Sequence, residues 1–223
     1  MRDREQEARD RMVRDQLEAR GIRDERVLAV MRRVPRHLFV PEPWRENAYD
    51  DRPQPIGENQ TISQPLMVAL MTELLDLRGG ETVLELGTGS GYQTAVLAEM
   101  CERVVSIERH VPLAEQAKRV LTSLSYANIE IHVADGTLGW PADAPYPSIV
   151  VTAGAPSVPP PLVEQLAPGG RLVVPVGDRE MQTLTRICKD AAGRTSWSEH
   201  GRCVFVPVVG QHGWREERWD PDA

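Results

Sequence analysis

The sequence predicts an α/β fold: one Rossmann-like domain on a doubly wound, mostly parallel seven-stranded sheet, with helices at the N-terminus. From residue 63 onward, short apolar runs alternate with helical segments, a pattern typical of βαβ units. The glycine-rich turn Gly87–Gly91 directly follows the first apolar run, where open α/β sheets bind ligands. We therefore expect a core over residues 63–214, a helical and loop cap over 1–62, and a loose tail over 215–223.

The first third of the chain predicts two helices and a long loop. The first helix carries a narrow apolar stripe of Met12, Val13 and Leu17. Asp24 is expected to cap the second helix, and Pro35 to end it. No periodicity holds over residues 40–62, which prolines and a glycine interrupt. That segment is predicted to be irregular, and long irregular segments are commonly functional.

The core predicts seven strands separated by helices. A helix begins near Pro65 and is ended by Gly79–Gly80, and further helices are predicted over 92–100, 112–124 and 162–166. Strands are predicted over 82–86, 103–107, 128–133, 148–152, 171–176, 181–188 and 203–209. The last two strands are expected to form an antiparallel edge, and the pattern leaves their order open.

Composition narrows the classes of function. The 223 residues are 41% hydrophobic and 26% charged, with a net charge of −7, which is ordinary for a soluble protein and argues against broad nucleic-acid binding. The three scattered cysteines form no CxxC pair, so neither a zinc site nor a redox dithiol is indicated. A densely charged N-terminus and the lack of a long apolar run predict a cytoplasmic protein without a membrane partner.

The glycine turn indicates the class of cofactor. Its G-x-G-x-G pattern is followed by Tyr92, where the dinucleotide fingerprint requires glycine or alanine. Glu85 lies two residues before the first glycine. A carboxylate there would repel a pyrophosphate but could hold a cationic amine. These features disfavour a nicotinamide-dependent oxidoreductase.

Two more acids follow the next predicted strands. Glu108 could accept hydrogen bonds from two ribose hydroxyls, and Asp135 could lie near an adenine amino group. With Glu85, they suit a ligand with an ammonium group, a ribose and an adenine but no phosphate, and S-adenosylmethionine has these parts. Each acid taken singly could equally be a helix cap or a solvated strand end, and for Asp135 alone that interpretation is favoured.

Several motifs resemble the protein-L-isoaspartate (D-aspartate) O-methyltransferase family over about residues 12–214. The most specific is the Gln-Thr-Ile-Ser-x-Pro segment, residues 60–65. The other matching segments are 34–40, 83–94, 151–156, 166–177 and 204–210. Three positions depart from the family pattern: Ala134 precedes Asp135, Pro147 follows Tyr146, and Asn59 stands where many members have glycine. None of these departures removes an expected functional residue.

The resemblance implies a Rossmann-like S-adenosylmethionine-dependent methyltransferase that modifies the free α-carboxyl of L-isoaspartyl, and also D-aspartyl, residues in damaged proteins and peptides. The product ester closes to a succinimide, which starts repair, and S-adenosylhomocysteine is released. The implied catalytic residue is Ser63, and the implied substrate-binding residues are Gln60, Thr61, Ile62, Val206, Val208 and Val209. The implied cofactor-binding residues are Glu85, Gly87, Thr88, Gly89, Ser90, Gly91, Glu108, Arg109, Asp135, Gly136 and Thr152. A monomer without a metal is expected.

The implied chemistry needs no general base. A free α-carboxyl has a pKa of about 3.3–3.7, so the nucleophile is already ionised near neutral pH, and the five histidines show no triad or metal spacing. Ser63 could also be a plain helix N-cap. Two other functions remain open: an O-methyltransferase for a small molecule or a biosynthetic peptide, and a cofactor-binding module without catalysis.

Overall fold

A computed structural model of the chain describes residues 4–215. Within this range the helices are α1 (Arg4–Met12), α2 (Glu25–Arg33), α3 (Pro65–Leu75), α4 (Tyr92–Ala98), α5 (Val111–Ser123) and α6 (Pro160–Glu164). The strands are β1 (Gln54–Gly57), β2 (Gln60–Ile62), β3 (Thr82–Leu86), β4 (Arg103–Glu108), β5 (Ile129–Val133), β6 (Tyr146–Val151), β7 (Leu166–Gly177), β8 (Gln182–Lys189) and β9 (Thr195–Cys203).

The main sheet has seven strands in the order β5-β4-β3-β6-β7-β8-β9. Strands β3 to β7 pair in parallel, and β8 and β9 pair antiparallel at one edge. The predicted sheet and its antiparallel edge are confirmed, and the order of the edge strands is now defined. Among residues 4–215, no helix is both long and apolar enough to cross a membrane.

The site is positioned by the reversal of strand order at β3. The chain proceeds from β3 outward through β4 to β5, and then returns to add β6 on the other side of β3. Leu86 at the end of β3 pairs with both Ile107 and Val151, so the carboxyl ends of three strands meet. Such a reversal opens a crevice outside the sheet, where α/β proteins bind ligands.

Apolar residues of the N-terminal segment pack into the main apolar cluster. Met12, Val13 and Leu17 are at most 1% exposed, and they belong to the same apolar cluster as residues of α3, α4 and β3. The Asp24 side chain accepts a hydrogen bond from the Arg26 backbone N–H at the start of α2. The three apolar residues therefore share an apolar cluster with the helices and strands of the main sheet.

The irregular segment over 40–62 contains an antiparallel hairpin, β1–β2, that the sequence analysis did not predict. Its turn residues Glu58 and Asn59 have φ values of 49° and 55°, and positive φ at both central positions is the geometry of a tight type I′ hairpin turn. Glycine and asparagine favour that geometry, whereas glutamate rarely adopts it. Because Glu58 occupies the first turn position, the hairpin has a weak sequence signal.

The predicted strand over 203–209 is wrong. The last strand is β9, and the segment after it makes only isolated bridges, such as the one between Pro207 and Gly154. Strand β9 lies at the sheet edge and most of its side chains are exposed, so it shows no alternation of apolar residues.

Two helix ends also differ from the prediction. Helix α3 ends at Leu75, before the glycine pair, because Asp76 adopts a left-handed conformation. The predicted helix over 162–166 is α6, and Leu166 already begins β7.

Candidate active site

A cavity opens at the carboxyl ends of β3 and β4 and brings most of the predicted site residues together. The predicted residues that line it are Gln60, Thr61, Ile62, Ser63, Gly87, Thr88, Gly89, Ser90, Glu108, Arg109, Gly136, Thr152, Val206, Val208 and Val209. Gly91, Glu85 and Asp135 are the predicted site residues that do not line it. We call Gly87–Gly91 with Glu108 the cofactor wall, and Gln60–Ser63 the acceptor wall.

The cofactor wall depends on glycine. Gly87 has a φ of 95°, and a Cβ atom there would lie 2.4 Å from the Thr152 hydroxyl oxygen. That hydroxyl donates to the Gly87 carbonyl oxygen at 2.7 Å. Gly91, with a φ of 86°, packs against Ala117 and Leu121 of α5. The turn is therefore held close to both the sheet and a helix, and larger residues would displace it.

Glu108 secures the glycine turn to the end of β4. Its two carboxylate oxygens accept hydrogen bonds from the backbone N–H groups of Gly89 at 2.8 Å and His110 at 2.9 Å. A carboxylate offers about four acceptor sites, so the side chain can still accept hydrogen bonds from ligand hydroxyls. Glu108 lines the cavity although it is only 5% exposed.

Glu85 lies behind the glycine turn. One carboxylate oxygen accepts hydrogen bonds from the hydroxyls of Thr94 and Ser106, both at 2.6 Å. Burial raises the pKa of Glu85 to about 7, although these two hydrogen bonds lower it. The Ser106 hydroxyl also lies 2.6 Å from that of Thr88, which does line the cavity. Glu85 therefore connects to the cavity through two hydroxyls.

Asp135 is also placed behind the surface of the cavity. It accepts hydrogen bonds from the backbone and hydroxyl of Thr137, and from the Gln211 backbone N–H at 2.7 Å. Although burial raises its pKa, the hydrogen bonds outweigh that effect and lower it. Asp135 thus caps a local turn and ties the C-terminal segment to the site, while the neighbouring Gly136 lines the cavity.

Ser63 is not a helix N-cap. The residue before α3 is Gln64, which makes no side-chain capping bond. A remote carboxylate serves this helix end instead, because Asp51 accepts a hydrogen bond from the Leu66 N–H at 3.1 Å. Within residues 4–215 the Ser63 hydroxyl has no hydrogen-bond partner, and Ser63 lines the cavity. Capping therefore does not account for this serine.

The segment 206–209 also lines the cavity. Val208 donates its backbone N–H to the Gly154 carbonyl oxygen at 2.9 Å, and Gly154 donates to Val206 at 2.8 Å. These bonds hold the segment extended beside the end of β6. The segment is a bridged loop and not a strand of the main sheet, and its role as a substrate wall stays a prediction.

Several lining residues were missed by the sequence analysis: Val68, Leu86, Tyr92, Gln93, Ile107, His110, Ala153 and Pro207. His110 lies two residues after Glu108, and its Nδ1 atom is 3.8 Å from a carboxylate oxygen of Glu58 at the hairpin tip. The sequence signal that could have identified it is its position two residues after Glu108, at the carboxyl end of the second core strand. Among the described residues, 4–215, no group of three or more His, Cys, Asp or Glu could hold a metal ion.

Comparison with known proteins gives a consistent result. Residues 7–213 match the model of the family described as protein-L-isoaspartate(D-aspartate) O-methyltransferase. The chain is 58% identical over 208 residues to a Trichlorobacter lovleyi protein named protein-L-isoaspartate O-methyltransferase, covering 93% of this chain and 96% of that one. A protein of the same name from Methanoculleus marisnigri is 54% identical and is covered to 94%.

Two solved structures share the architecture. One, named protein-L-isoaspartate O-methyltransferase, superposes with a TM-score of 0.82 at 29% identity over 92% of this chain and 67% of that one. The other is described as a putative protein-L-isoaspartate O-methyltransferase from Plasmodium falciparum in complex with S-adenosyl-L-homocysteine. It has a TM-score of 0.78 at 26% identity, over 90% of this chain and 98% of that one.

Proposed function

Because the chain belongs to the protein-L-isoaspartate (D-aspartate) O-methyltransferase family, we propose that its cavity holds S-adenosylmethionine on the cofactor wall and the acceptor carboxylate at Ser63. The enzyme methylates the free α-carboxyl of L-isoaspartyl residues in damaged proteins, with S-adenosylmethionine as the methyl donor. The observation that carries the residue assignment is that residues 87–90 of the glycine turn and Gln60–Ser63 line one cavity.

The cofactor wall fits this donor. When bound, S-adenosylmethionine supplies a methyl group on a sulfonium centre. The glycine turn allows a ligand to approach the backbone closely, and Glu108 has acceptor sites for the two ribose hydroxyls. Gly136 is proposed to border the adenine. Residues that contact the cofactor directly are proposed to be Gly87, Thr88, Gly89, Ser90, Glu108, Arg109, Gly136 and Thr152.

Glu85, Gly91 and Asp135 are proposed to act from behind the surface of the cavity. Glu85 orients Thr88 through Ser106. Gly91 allows the turn to pack on α5, and Asp135 holds the segment 206–211 through the Gln211 backbone N–H. Their proposed role is to hold the contacting groups in place.

The acceptor wall is proposed to orient the carboxylate. The Ser63 hydroxyl donates a hydrogen bond to one carboxylate oxygen and leaves the other in line with the methyl group. Fixing two reacting groups in this way can lower a barrier by about 7–11 kcal/mol. The substrate backbone is proposed to lie between Gln60–Ile62 and Val206–Val209. No residue has to remove a proton, because the carboxyl is already ionised.

We further propose that the protein acts in the cytoplasm as a monomer, needs no metal, and has neither nucleic-acid nor membrane partners. The net charge of −7 supports the absence of a nucleic-acid partner. All three cysteines are free, which is the usual state in a reducing compartment. Gel filtration of the purified protein with light scattering checks the monomer, and a chelator should leave methyl transfer unchanged.

The deciding experiment compares two synthetic peptides that differ in one linkage. Methyl transfer from labelled S-adenosylmethionine is measured on a peptide with isoaspartate and on its twin with normal aspartate. Base-labile label on the isoaspartyl peptide alone is the expected result. Absence of label on both peptides, with cofactor binding retained, would instead favour a small-molecule acceptor or a non-catalytic role.

A further inference from the structure

Arg36 belongs to the N-terminal motif over 34–40, to which the sequence analysis assigned no function. It is 0% exposed and is the largest of the fully buried side chains among the described residues. Burial lowers the pKa of Arg36 to about 10, so the guanidinium remains charged at neutral pH. Within residues 4–215 no carboxylate forms a salt bridge with it. Burying a cation without a salt-bridge partner costs free energy of folding. Its retention at this position therefore points to a role for the contacts that it makes.

The guanidinium joins three segments of the chain, two of which contribute to the site. Its Nε atom donates to the Ala48 carbonyl oxygen at 2.7 Å, and its Nη2 atom donates to the Ser63 carbonyl oxygen at 2.8 Å. Its Cζ atom lies 4.7 Å from the ring centre of Tyr92, the first residue of α4 after the glycine turn. Arg36 thus contacts the acceptor wall and the helix that follows the cofactor wall at the same time.

We propose that Arg36 is a positioning residue that fixes the Ser63 peptide group relative to the glycine turn. This inference rests on the proposed function, since it assigns how the acceptor wall is held for that reaction. The planar fork reaches two carbonyl oxygens while its Cζ atom lies over the Tyr92 ring. A lysine keeps the charge but cannot reproduce two fixed donors and a flat face. Arg36 therefore sets the placement of the Ser63 hydroxyl through the backbone.

The test uses Arg36→Lys and Arg36→Met in the full chain, with Arg9→Met as the matched control. Arg9 is a second buried arginine of the N-terminal segment, 7% exposed, and it donates to the Arg33 carbonyl oxygen and to Gln6. We expect both Arg36 variants to lower kcat on an isoaspartyl peptide at least tenfold while the Kd for S-adenosylhomocysteine stays within threefold. Arg9→Met should leave kcat within twofold, whatever its melting temperature.

A double-mutant cycle with Ser63→Ala separates positioning from general damage. If Arg36 acts through Ser63, adding Arg36→Met or Arg36→Lys to Ser63→Ala should lower kcat less than twofold further. Additive losses would overturn the proposal, as would full recovery by lysine or a wild-type kcat in folded Arg36→Met. Should the methionine variant fail to fold, the lysine variant and its cycle carry the test. Failure of the unmodified enzyme to methylate the peptide would instead count against the proposed function.

Discussion

The cofactor wall and the acceptor wall both contribute residues to one cavity, yet they are held by different parts of the chain. The glycine turn is fixed by its nearest structural neighbours, since Glu108 ends β4 and Thr152 directly follows β6, the two strands beside β3. The acceptor wall is held by a residue that is distant in sequence, Arg36, which donates to the Ser63 carbonyl oxygen. It also includes β2, the second strand of the β1–β2 hairpin. The cofactor wall is therefore held at the carboxyl ends of the central strands, whereas the acceptor wall is held by hydrogen bonds from the N-terminal segment.

This difference predicts that damage to the two walls is separable. Changes in the cofactor wall should alter the affinity for S-adenosylhomocysteine. Changes in the acceptor wall should alter turnover and leave that affinity intact. The following substitutions test the separation, beginning with the largest expected effect.

Gly87→Ala should disrupt the cofactor wall most severely. The added Cβ would lie 2.4 Å from the Thr152 hydroxyl oxygen at a φ of 95°, and a left-handed conformation alone costs a non-glycine residue about 1–2 kcal/mol. We expect the affinity for S-adenosylhomocysteine, measured by calorimetry, to fall at least about 100-fold. Gly80→Ala is the control, because a Cβ there meets nothing within 4 Å. Equal affinities in the two variants would show that the turn tolerates a side chain.

Ser63→Ala should disrupt the acceptor wall alone. It removes one hydrogen bond to a charged group, worth about 1.5–3 kcal/mol, so kcat should fall roughly 10- to 100-fold. The Kd for S-adenosylhomocysteine should change less than about twofold, because α3 is capped by Asp51 and not by this serine. Wild-type turnover in the variant would remove Ser63 from the mechanism.

The comparison also explains which parts could be predicted from the sequence. The glycine turn and strands β3 to β6 were found because local patterns specify them: apolar runs, Gly87–Gly91 and the acids at strand ends. Glu85 and Asp135 lie at or just after the ends of predicted strands, but they do not line the cavity. A linear pattern gives the end of a strand, whereas the direction of its last side chains depends on partners such as Thr94 and Gln211.

The support of the acceptor wall could not be predicted in this way. Its segment was recognised by resemblance, but the contacts of Arg36 and Asp51 span 27 and 15 residues in sequence, and no local periodicity reports contacts of that range. The β1–β2 hairpin was not predicted because Glu58, which is not a typical turn residue, occupies a left-handed position in the turn. Strand β9 escaped because its exposed side chains do not alternate with buried ones.

Glu108→Ala sharpens the comparison by removing a side chain that has a structural role and a proposed ligand-binding role. The Gly89 and His110 N–H groups would lose their hydrogen-bond acceptor. The ribose hydroxyls of the proposed cofactor would lose the same carboxylate as an acceptor. We expect the affinity for S-adenosylhomocysteine to fall about tenfold or more, with a kcat near wild type once cofactor is saturating. Glu102→Ala is the control, because this exposed residue directly precedes the opposite end of β4. Unchanged binding would exclude Glu108 from the cofactor site.

Glu85, which is buried behind the cofactor wall, should make the free energy of unfolding depend on pH. Its pKa is raised by burial from 4.5 to about 7, so the folded state holds the proton more tightly than the unfolded state does. Stability should consequently decline as the pH rises from 4.5 to 7, by about 1–3 kcal/mol. Glu85→Gln, which cannot ionise, should lack this decline. Denaturant unfolding of both proteins at several pH values measures it, and parallel profiles would mean that Glu85 titrates normally.

The smallest effect is expected at the hairpin that leads into the acceptor wall. Glu58 adopts a φ of 49° in the turn, where glycine avoids a cost of about 1 kcal/mol. Glu58→Gly should therefore raise the free energy of unfolding slightly, by about 0.5–1 kcal/mol, although it also removes the carboxylate near His110. Glu58→Gln removes only the charge and keeps the backbone strain, so it should not be stabilised. If both variants lose stability equally, the contact with His110 outweighs the strain, and the hairpin is held to the cofactor wall by charge as well as by its turn.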